Sequence, residues 1–366
     1  MLPLELNAFD DWLWNLTEED LRELRLPTLQ RAAVQAGVDL PQLTVLTVIS
    51  DAEDPLQLFT SRATGVQAVK TSGHVGLIAA HLAGRDHVVA VWPAGDHVFH
   101  IASTPPLTDD AWKRVEEGWM NAAAPDLAPV ILNRAEFEAI GDVLAEHGSI
   151  EVARMTARVL RDHSSYTRGW PSIPGQARPT HQDALRETES MIVRTITLDV
   201  AGVMRLQVRR SSGASFYSGS FHAFSSIVLQ RLANAAKERR VMLADRDRAP
   251  REPVREVLSM SIDTLNLDDP TVRELLFETV AHVKGLQVAT LHDNPYLHLL
   301  VTDFLNGTNF DVLVTDSHAV EIIPGLESSV GSLARVTDAL GDALGMKDLQ
   351  LLNVEEKISV EEFFGA

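Results

Sequence analysis

Two histidines and two aspartates lie within the stretch LHDNPYLHLLVTDF, residues 291–304. Histidine beside aspartate is typical of a general-base dyad, and histidine with carboxylates is also typical of a metal site. Successive side chains of a strand point to opposite faces, so His298 and Asp303 are expected to point apart. Asp293-Asn294-Pro295 favours a turn, because the residue before proline is held extended.

The dipeptide Asn306-Gly307 follows this stretch and predicts a two-residue type I′ turn between two strands. Such a turn pairs Val301 with Val312. His298 and Asp311 then lie about four residues apart along one face, on the order of 13 Å. The sequence therefore predicts a turn that leads into a hairpin, with no catalytic dyad and no metal site.

Three carboxylates on adjacent predicted strands leave an alternative open, namely a metal-dependent phosphoesterase or nuclease. These are Asp303, Asp311 and Glu321. Such enzymes combine carboxylates and a lysine around a divalent ion. Glu321 is followed by two isoleucines and has no lysine nearby. The lysine that such an active site needs is therefore missing from this sequence pattern.

Charge is distributed unevenly along the 366 residues, whose net charge is −19. Residues 154–255 hold 18 basic and 9 acidic residues, a net charge of +9. The remainder holds 14 basic and 42 acidic residues, a net charge of −28. A basic segment in an acidic chain can face a polyanion, or its arginines can pair with carboxylates of the protein or of a partner.

Arginines and aromatic residues are interleaved within this basic segment, which suits stacking on bases combined with contacts to a phosphate backbone. The candidate polyanion-binding residues are Tyr166, Arg168, Trp170, Arg178, Arg205, Arg209, Arg246 and Arg248. No recognised nucleic-acid-binding motif accompanies them, so the prediction depends on composition alone.

Alternating apolar and polar residues over 192–208 predict a hairpin with a three-residue loop. On its polar face the register pairs Asp199 with Arg205, Thr197 with Gln207 and Thr195 with Arg209. Two of the candidate arginines are thus expected on one rigid face.

The sequence predicts longer helices at five places in the chain. They are expected over 72–84, about 109–121, 134–163 (broken near Gly148), 221–240 and 326–344. Thr17 is expected to cap a further short helix.

The overall pattern predicts an α/β or α+β protein of two mixed domains. Residues 1–163 form the first, 164–182 a Pro/Gly-rich linker or functional loop, and 183–366 a second domain with an antiparallel sheet flanked by helices. The chain has no cysteine, which excludes disulfides and thiolate chemistry. Neither a signal peptide nor a membrane span is evident, so a cytoplasmic location is expected.

These observations favour a non-enzymatic bacterial cytoplasmic protein that binds nucleic acid or another polyanion, without cofactor or metal, as a subunit of a larger assembly. The excess of arginine over lysine, 26 to 6, fits a bacterial origin. Two alternatives remain: the metal-dependent phosphoesterase, and a scaffold in which the basic segment docks on acidic surfaces of a protein partner or a second copy.

Overall fold

The computed structural model describes residues 4–159, 164–173, 177–189, 191–247, 256–262, 269–293, 296–315 and 317–353. It divides into two compact units, residues 1–238 and 239–366. This division differs from the predicted boundary in 164–182, because strands on both sides of that segment belong to one sheet. Among the described residues, no helix is long and apolar enough to cross a membrane.

Helices of the first unit are short and mostly capped. They are α1 (Ala8–Asn15), α2 (Glu18–Glu23), α3 (Leu29–Gln35), α4 (Pro55–Arg62), α5 (Asp110–Lys113), α6 (Met120–Ala123), α7 (Arg134–Ala145), α8 (His181–Glu187), α9 (Phe221–Ala223) and α10 (Gln230–Leu243), the last of which contains the unit boundary. Thr17 caps α2 in a capping box, as predicted, since its side chain accepts from the Asp20 N–H and the Asp20 carboxylate accepts in return.

Eleven antiparallel strands form the sheet of this unit. They are β1 (Leu43–Ser50), β2 (Val66–Ser72), β3 (Val75–Leu82), β4 (Arg85–Gly95), β5 (Val98–Ser103), β6 (Leu127–Pro129), β7 (Ile150–Val159), β8 (Ser165–Gly169), β9 (Met191–Val200), β10 (Met204–Arg209) and β11 (Gly213–Gly219). Their order is β2-β3-β4-β5-β1-β11-β10-β9-β7-β8, and β6 pairs with β1.

Strand β1 is buried along its whole length and joins two similar halves. It pairs with β5 on one side and with β11 on the other. On one side, the meander β3-β4-β5 is followed by α5, a π-helical turn and α6; on the other, β9-β10-β11 is followed by α9, a π-helical turn and α10.

Apolar residues of the sheet alternate between two cores. The larger core packs one face against α1–α3, α7, α8 and the α9–α10 segment. The smaller core packs the other face of β1 and β3–β5 against α4 and the α5–α6 segment. Neighbouring residues show the alternation, since Val45 belongs to the larger core and Leu46 to the smaller. Strands β7, β9 and β10 contribute no residue to the smaller core, so their second face is available to polar side chains.

Two helix predictions fail in this unit. The predicted helix 72–84 is strand β3, which lies between β2 and β4. A strand buried on both faces has a continuous apolar sequence that periodicity cannot distinguish from a buried helix. The predicted helix 134–163 ends at Ala145 and continues as β7 from Ile150. The predicted helix 221–240 is confirmed as the α9–α10 segment.

The second unit is a six-stranded antiparallel sheet with two helices, which confirms the predicted architecture of this region. Its strands are β12 (Glu256–Ser261), β13 (Leu286–His292), β14 (Leu297–Asp303), β15 (Asn309–Val314), β16 (Ala319–Pro324) and β17 (Asp348–Asn353), in the order β13-β14-β15-β16-β12-β17. Its helices are α11 (Pro270–Ala281) and α12 (Val330–Leu344). Alternate residues of β14, β15 and β16 are buried, so one face of the sheet packs on a core.

The β14–β15 register differs from the predicted one by two residues. Val301 pairs with Phe310, and the loop has five residues, 304–308. The buried Asp303 carboxylate ends β14 early, since it accepts from the Leu305 N–H at 3.0 Å and from the guanidinium of Arg335 at 2.9 Å. In this loop Gly307 adopts a positive φ of 82°, but Asn306 does not, so the turn is not type I′.

This register corrects a second prediction, because it brings His298 and Asp311 together. His298 Nε2 lies 2.8 Å from Asp311 Oδ1, and both side chains are about a quarter exposed. The pair lies on the more exposed face of the sheet, whereas Asp303 lies on the buried face.

Replacing Asp303 by Ala is expected to destabilise the second unit by about 3–5 kcal/mol, because Arg335 would be left buried without its carboxylate. All six tryptophans lie in the first unit, so hydrogen exchange of peptides from the second unit is the suitable measurement. Asp311→Ala is the matched control, since it removes only a partly exposed pair and is expected to cost under about 1 kcal/mol. Equal effects of the two substitutions would contradict the conclusion that the buried Asp303–Arg335 pair stabilises the second unit.

A buried carboxylate anchors α1 on the sheet. Asp10 Oδ2 accepts from the Val88 N–H at 3.3 Å and from the Thr104 hydroxyl at 3.0 Å. Burial raises the pKa of Asp10 to about 6, although these hydrogen bonds act in the opposite direction. His87 lies 3.9 Å away, but burial lowers its pKa, so no ion pair compensates the carboxylate near neutral pH.

Asp10→Asn is therefore expected to stabilise the first unit at neutral pH. A raised carboxyl pKa means that the native state holds the proton more tightly, so wild-type stability falls as pH rises from about 4 to about 6, by up to about 3 kcal/mol. The amide can still accept both hydrogen bonds. Urea unfolding followed by tryptophan fluorescence from pH 4 to 8 measures this, with the exposed neighbour Asp11→Asn as control. If Asp10→Asn retains the wild-type pH profile, the raised pKa is not responsible.

Candidate functional site

An open cavity of about 760 Å³ lies over the polar face of β7, β9, β10 and β11. The side chains and backbone that line it are those of Ala153, Arg154, Gly169, Trp170, Pro171, Arg178, Thr197, Arg205, Gln207 and Tyr217. Three of the predicted polyanion-binding residues, Trp170, Arg178 and Arg205, thus line one cavity. This volume is within the range of about 300–1,000 Å³ that is typical of small-ligand pockets.

The β9–β10 hairpin supplies the floor of the cavity, and its register is the predicted one. Arg205 is opposite Asp199, Gln207 is opposite Thr197, and Arg209 is opposite Thr195. The intervening residues of β10 belong to the larger core, which directs the polar set to the other face.

Two β-bulges bring further polar side chains to this face. The bulge between Val152 and Arg154 in β7 sets Arg154 opposite Thr197. A second irregularity, where β10 meets β11, adds Tyr217, whose hydroxyl donates to Gln207 Oε1 at 3.1 Å. Bulges redirect side chains and are common beside functional sites.

The segment predicted as linker or loop forms one wall of the cavity. Its first part is strand β8, which pairs with β7, and the Trp170 N–H donates to the Ala153 carbonyl at 2.8 Å. Arg178 then reaches the Asp199 carboxylate of β9. These contacts fix the segment to the sheet of the first unit.

Positive charge exceeds negative charge around the cavity. Asp199 contacts both Arg178 and Arg205, the latter at 3.4 Å. Arg154 is exposed, and its guanidinium has no hydrogen bond or ion pair within the described ranges. The buried Nε of Arg178 also has no partner among the described residues. The lining thus contains three guanidinium groups and no carboxylate, while Asp199 and Glu151, which are opposite each other on β9 and β7, lie on the same face beside it.

The phenol of Tyr217 is neutral at physiological pH. Its pKa is raised by burial, against the opposing effect of the nearby Arg205, Arg209 and Arg154. The hydroxyl is therefore a hydrogen-bonding group in the cavity and does not add a negative charge.

Arg209 does not line this cavity. Its Nη1 contacts both carboxylate oxygens of Glu116, at 2.7 and 2.8 Å, and its guanidinium lies 6.0 Å from the ring of Trp112. A Cβ on Gly213 would lie 2.3 Å from Arg209 Nη2, so glycine there makes room for the guanidinium. The predicted basic face is thus divided: the Arg209 end anchors the α5–α6 segment, and the Arg205 end remains open.

The other predicted residues lie elsewhere. Arg168 pairs with Glu187 and lies 5.1 Å over the ring of Trp170, outside the cavity lining. Tyr166 packs partly against the larger core. Arg246 belongs to the second unit, where it pairs with Glu256. Arg248 lies outside the described residues.

Sequence reasoning missed four lining side chains. Thr197 and Gln207 were placed on the correct face but were not assigned to the site. Arg154 was hidden by the predicted helix 134–163, and Tyr217 depends on a bulge that no local pattern indicates. The only available signal for Arg154 was its position at the start of the basic segment.

Carboxylates of the phosphoesterase alternative do not converge. Asp303 is fully buried against Arg335, whereas Asp311 lies on the opposite face of the sheet with His298. In the parts of the chain that the structure describes, no group of three or more histidine, aspartate or glutamate residues could hold a metal ion.

Arg209→Ala is expected to destabilise the first unit by about 3 kcal/mol, because Glu116 would lose its partner beneath α5. Arg205→Ala is expected to cost under about 1 kcal/mol, since this side chain is half exposed. Urea unfolding followed by tryptophan fluorescence measures both. A neutral Arg209→Ala would mean that this arginine is not a structural anchor.

Comparison with known proteins assigns no family to this chain. No family model matches it, and no curated protein sequence matches it. The function of the cavity is therefore inferred from its geometry and its charge.

Proposed function

We propose that this protein binds nucleic acid or another polyanion through the cavity lined by Arg154, Arg178 and Arg205. The observation that carries the proposal is a lining that contains three guanidinium groups and no carboxylate, in a concave site on a rigid sheet. Guanidinium groups match phosphate oxygens in two-pronged geometry, and a rigid support reduces the entropy lost on binding.

Trp170 adds an aromatic surface to the same cavity. A base can stack on an indole ring while its phosphate contacts arginine, which is the combination used for single-stranded nucleic acid. Thr197, Gln207 and Tyr217 supply neutral hydrogen-bonding groups beside these residues. The site thus combines charge, stacking and hydrogen bonding without a nucleophile or a metal site in its described lining, which favours binding over catalysis.

Several other arginines of the basic segment are neutralised by the protein itself. Arg168, Arg209 and Arg246 each pair with a glutamate. The proposal therefore depends on the local surplus at the cavity and not on the +9 charge of residues 154–255. It also keeps the expectation of a bacterial cytoplasmic protein acting within a larger assembly, whose acidic remainder would face solvent or a basic partner.

Fluorescence anisotropy tests the proposal with 5′-phosphorylated single-stranded and duplex DNA and RNA 12-mers that carry a 3′ label. Arg154→Gln and Arg205→Gln are each expected to weaken binding and to lower the slope of log affinity against log salt. For single strands the decrease is about 0.7 per lost phosphate contact.

Arg231→Gln is the control, because it removes one positive charge from an exposed position on α10 outside the cavity lining. It is expected to leave the salt slope unchanged. Absence of binding at low salt, or equal losses in the control and the cavity variants, would refute the proposal.

A further inference from the structure

The dimensions of the cavity limit the part of a nucleic acid that can enter it. A sphere of 760 Å³ would be about 11 Å across, less than the roughly 12 Å width of the B-DNA major groove alone. An open cavity of this volume accommodates only a part of a duplex. The volume instead suits a single nucleotide-sized group. Such ligands are a narrower class than the polyanions of the proposed function.

The charge of the lining further restricts the ligand. A phosphodiester carries a single negative charge, whereas a phosphomonoester carries about −1.5 to −2 at neutral pH and presents three terminal oxygens. The lining contains three guanidinium groups and no carboxylate, and the guanidinium of Arg154 has no carboxylate partner within the described residues. A dianionic terminal phosphate matches this positive charge better than an internal backbone phosphate does.

The remaining lining offers contacts for the rest of a nucleotide. The Tyr217 hydroxyl and the amide of Gln207 form a hydrogen-bonded pair that can reorganise toward sugar hydroxyls or base edges. Gln207 Nε2 lies 3.4 Å from the Thr197 hydroxyl, which leaves this amide weakly bonded within the protein. Trp170 lines the wall of the cavity, and the Arg168 guanidinium lies 5.1 Å from the centroid of its ring.

From these observations we infer that the cavity recognises a nucleoside monophosphate group through its terminal phosphomonoester, either as a free nucleotide or at the phosphorylated end of a strand. This inference rests on the proposed function and specifies the ligand of the same site. Arg154 is the main phosphate contact, Arg205 and Arg178 assist it from the Asp199 side, and Trp170 stacks on the base.

A pair of matched probes tests the inference. Two single-stranded 12-mers with the same sequence and 3′ label differ only in a 5′-phosphate or a 5′-hydroxyl, and adenosine monophosphate and adenosine serve as competitors. The phosphorylated strand is expected to bind about 10- to 100-fold more tightly, because charge-assisted hydrogen bonds to the terminal phosphate are lost with the hydroxyl strand. Arg154→Gln should abolish this difference, whereas Arg231→Gln should preserve it.

The competitors distinguish a free nucleotide from the phosphorylated end of a strand, which present the same phosphomonoester. Displacement of the strand by adenosine monophosphate but not by adenosine supports recognition of the phosphomonoester. Binding of adenosine monophosphate without any strand binding, measured by calorimetry and lost in Arg154→Gln, assigns the site to a free nucleotide.

Equal affinities for the two strands, with both weakened by Arg154→Gln and Arg205→Gln, would overturn the inference and leave the proposed polyanion binding intact. Failure of every probe to bind would overturn both. Circular dichroism and urea unfolding test whether Arg154→Gln remains folded. Both are expected to match the wild type, because the Arg154 side chain is exposed.

Discussion

Strand β1 is the element on which the first unit depends, because in the described sheet it connects the strands of the two meanders. Each of its eight residues is buried, and it pairs with both β5 and β11. A strand in this position has no free edge and contributes side chains to both cores. The larger and the smaller core are therefore both built on the backbone of β1.

Internal neutralisation of the basic segment decides where a ligand could bind. Arg209 is held by Glu116 under the α5–α6 segment, while Arg205, two positions away on the same face of β10, is half exposed. The helical cover ends between these two side chains. A count of arginines along the sequence cannot distinguish a structural guanidinium from an available one, because the difference depends on contacts made across more than ninety residues of chain.

Prediction from sequence succeeded where local pattern and tertiary context agree. The β9–β10 register follows from strict alternation, and the capping box of α2 follows from local chemistry. It failed where tertiary contacts override local preference. Strand β3 resembles a helix because both of its faces are buried, and Asp303 displaces the Asn306-Gly307 turn because a buried carboxylate takes backbone and arginine donors first.

Only a part of the candidate site could be predicted from the sequence, again because local pattern alone does not include tertiary contacts. The polar face of the hairpin was correctly derived, but the bulges that add Arg154 and Tyr217 each depend on one extra residue. A single-residue shift reverses the facing of every later side chain in a strand. Site residues that follow a bulge are therefore assigned to the wrong face by any simple alternation rule.

The arrangement of the two meanders around β1 approximates a twofold axis that runs along this strand. Because β5 and β11 are both antiparallel to β1, such an axis preserves strand direction and exchanges the two faces of the sheet. The α5–α6 and α9–α10 segments obey it, since they belong to opposite cores. Under the same operation, the surface of β4 that α1 covers corresponds to the surface of β10 that lines the cavity. Among the described residues, the cavity thus occupies the position of a helical layer that covers the other half of the pseudosymmetric sheet.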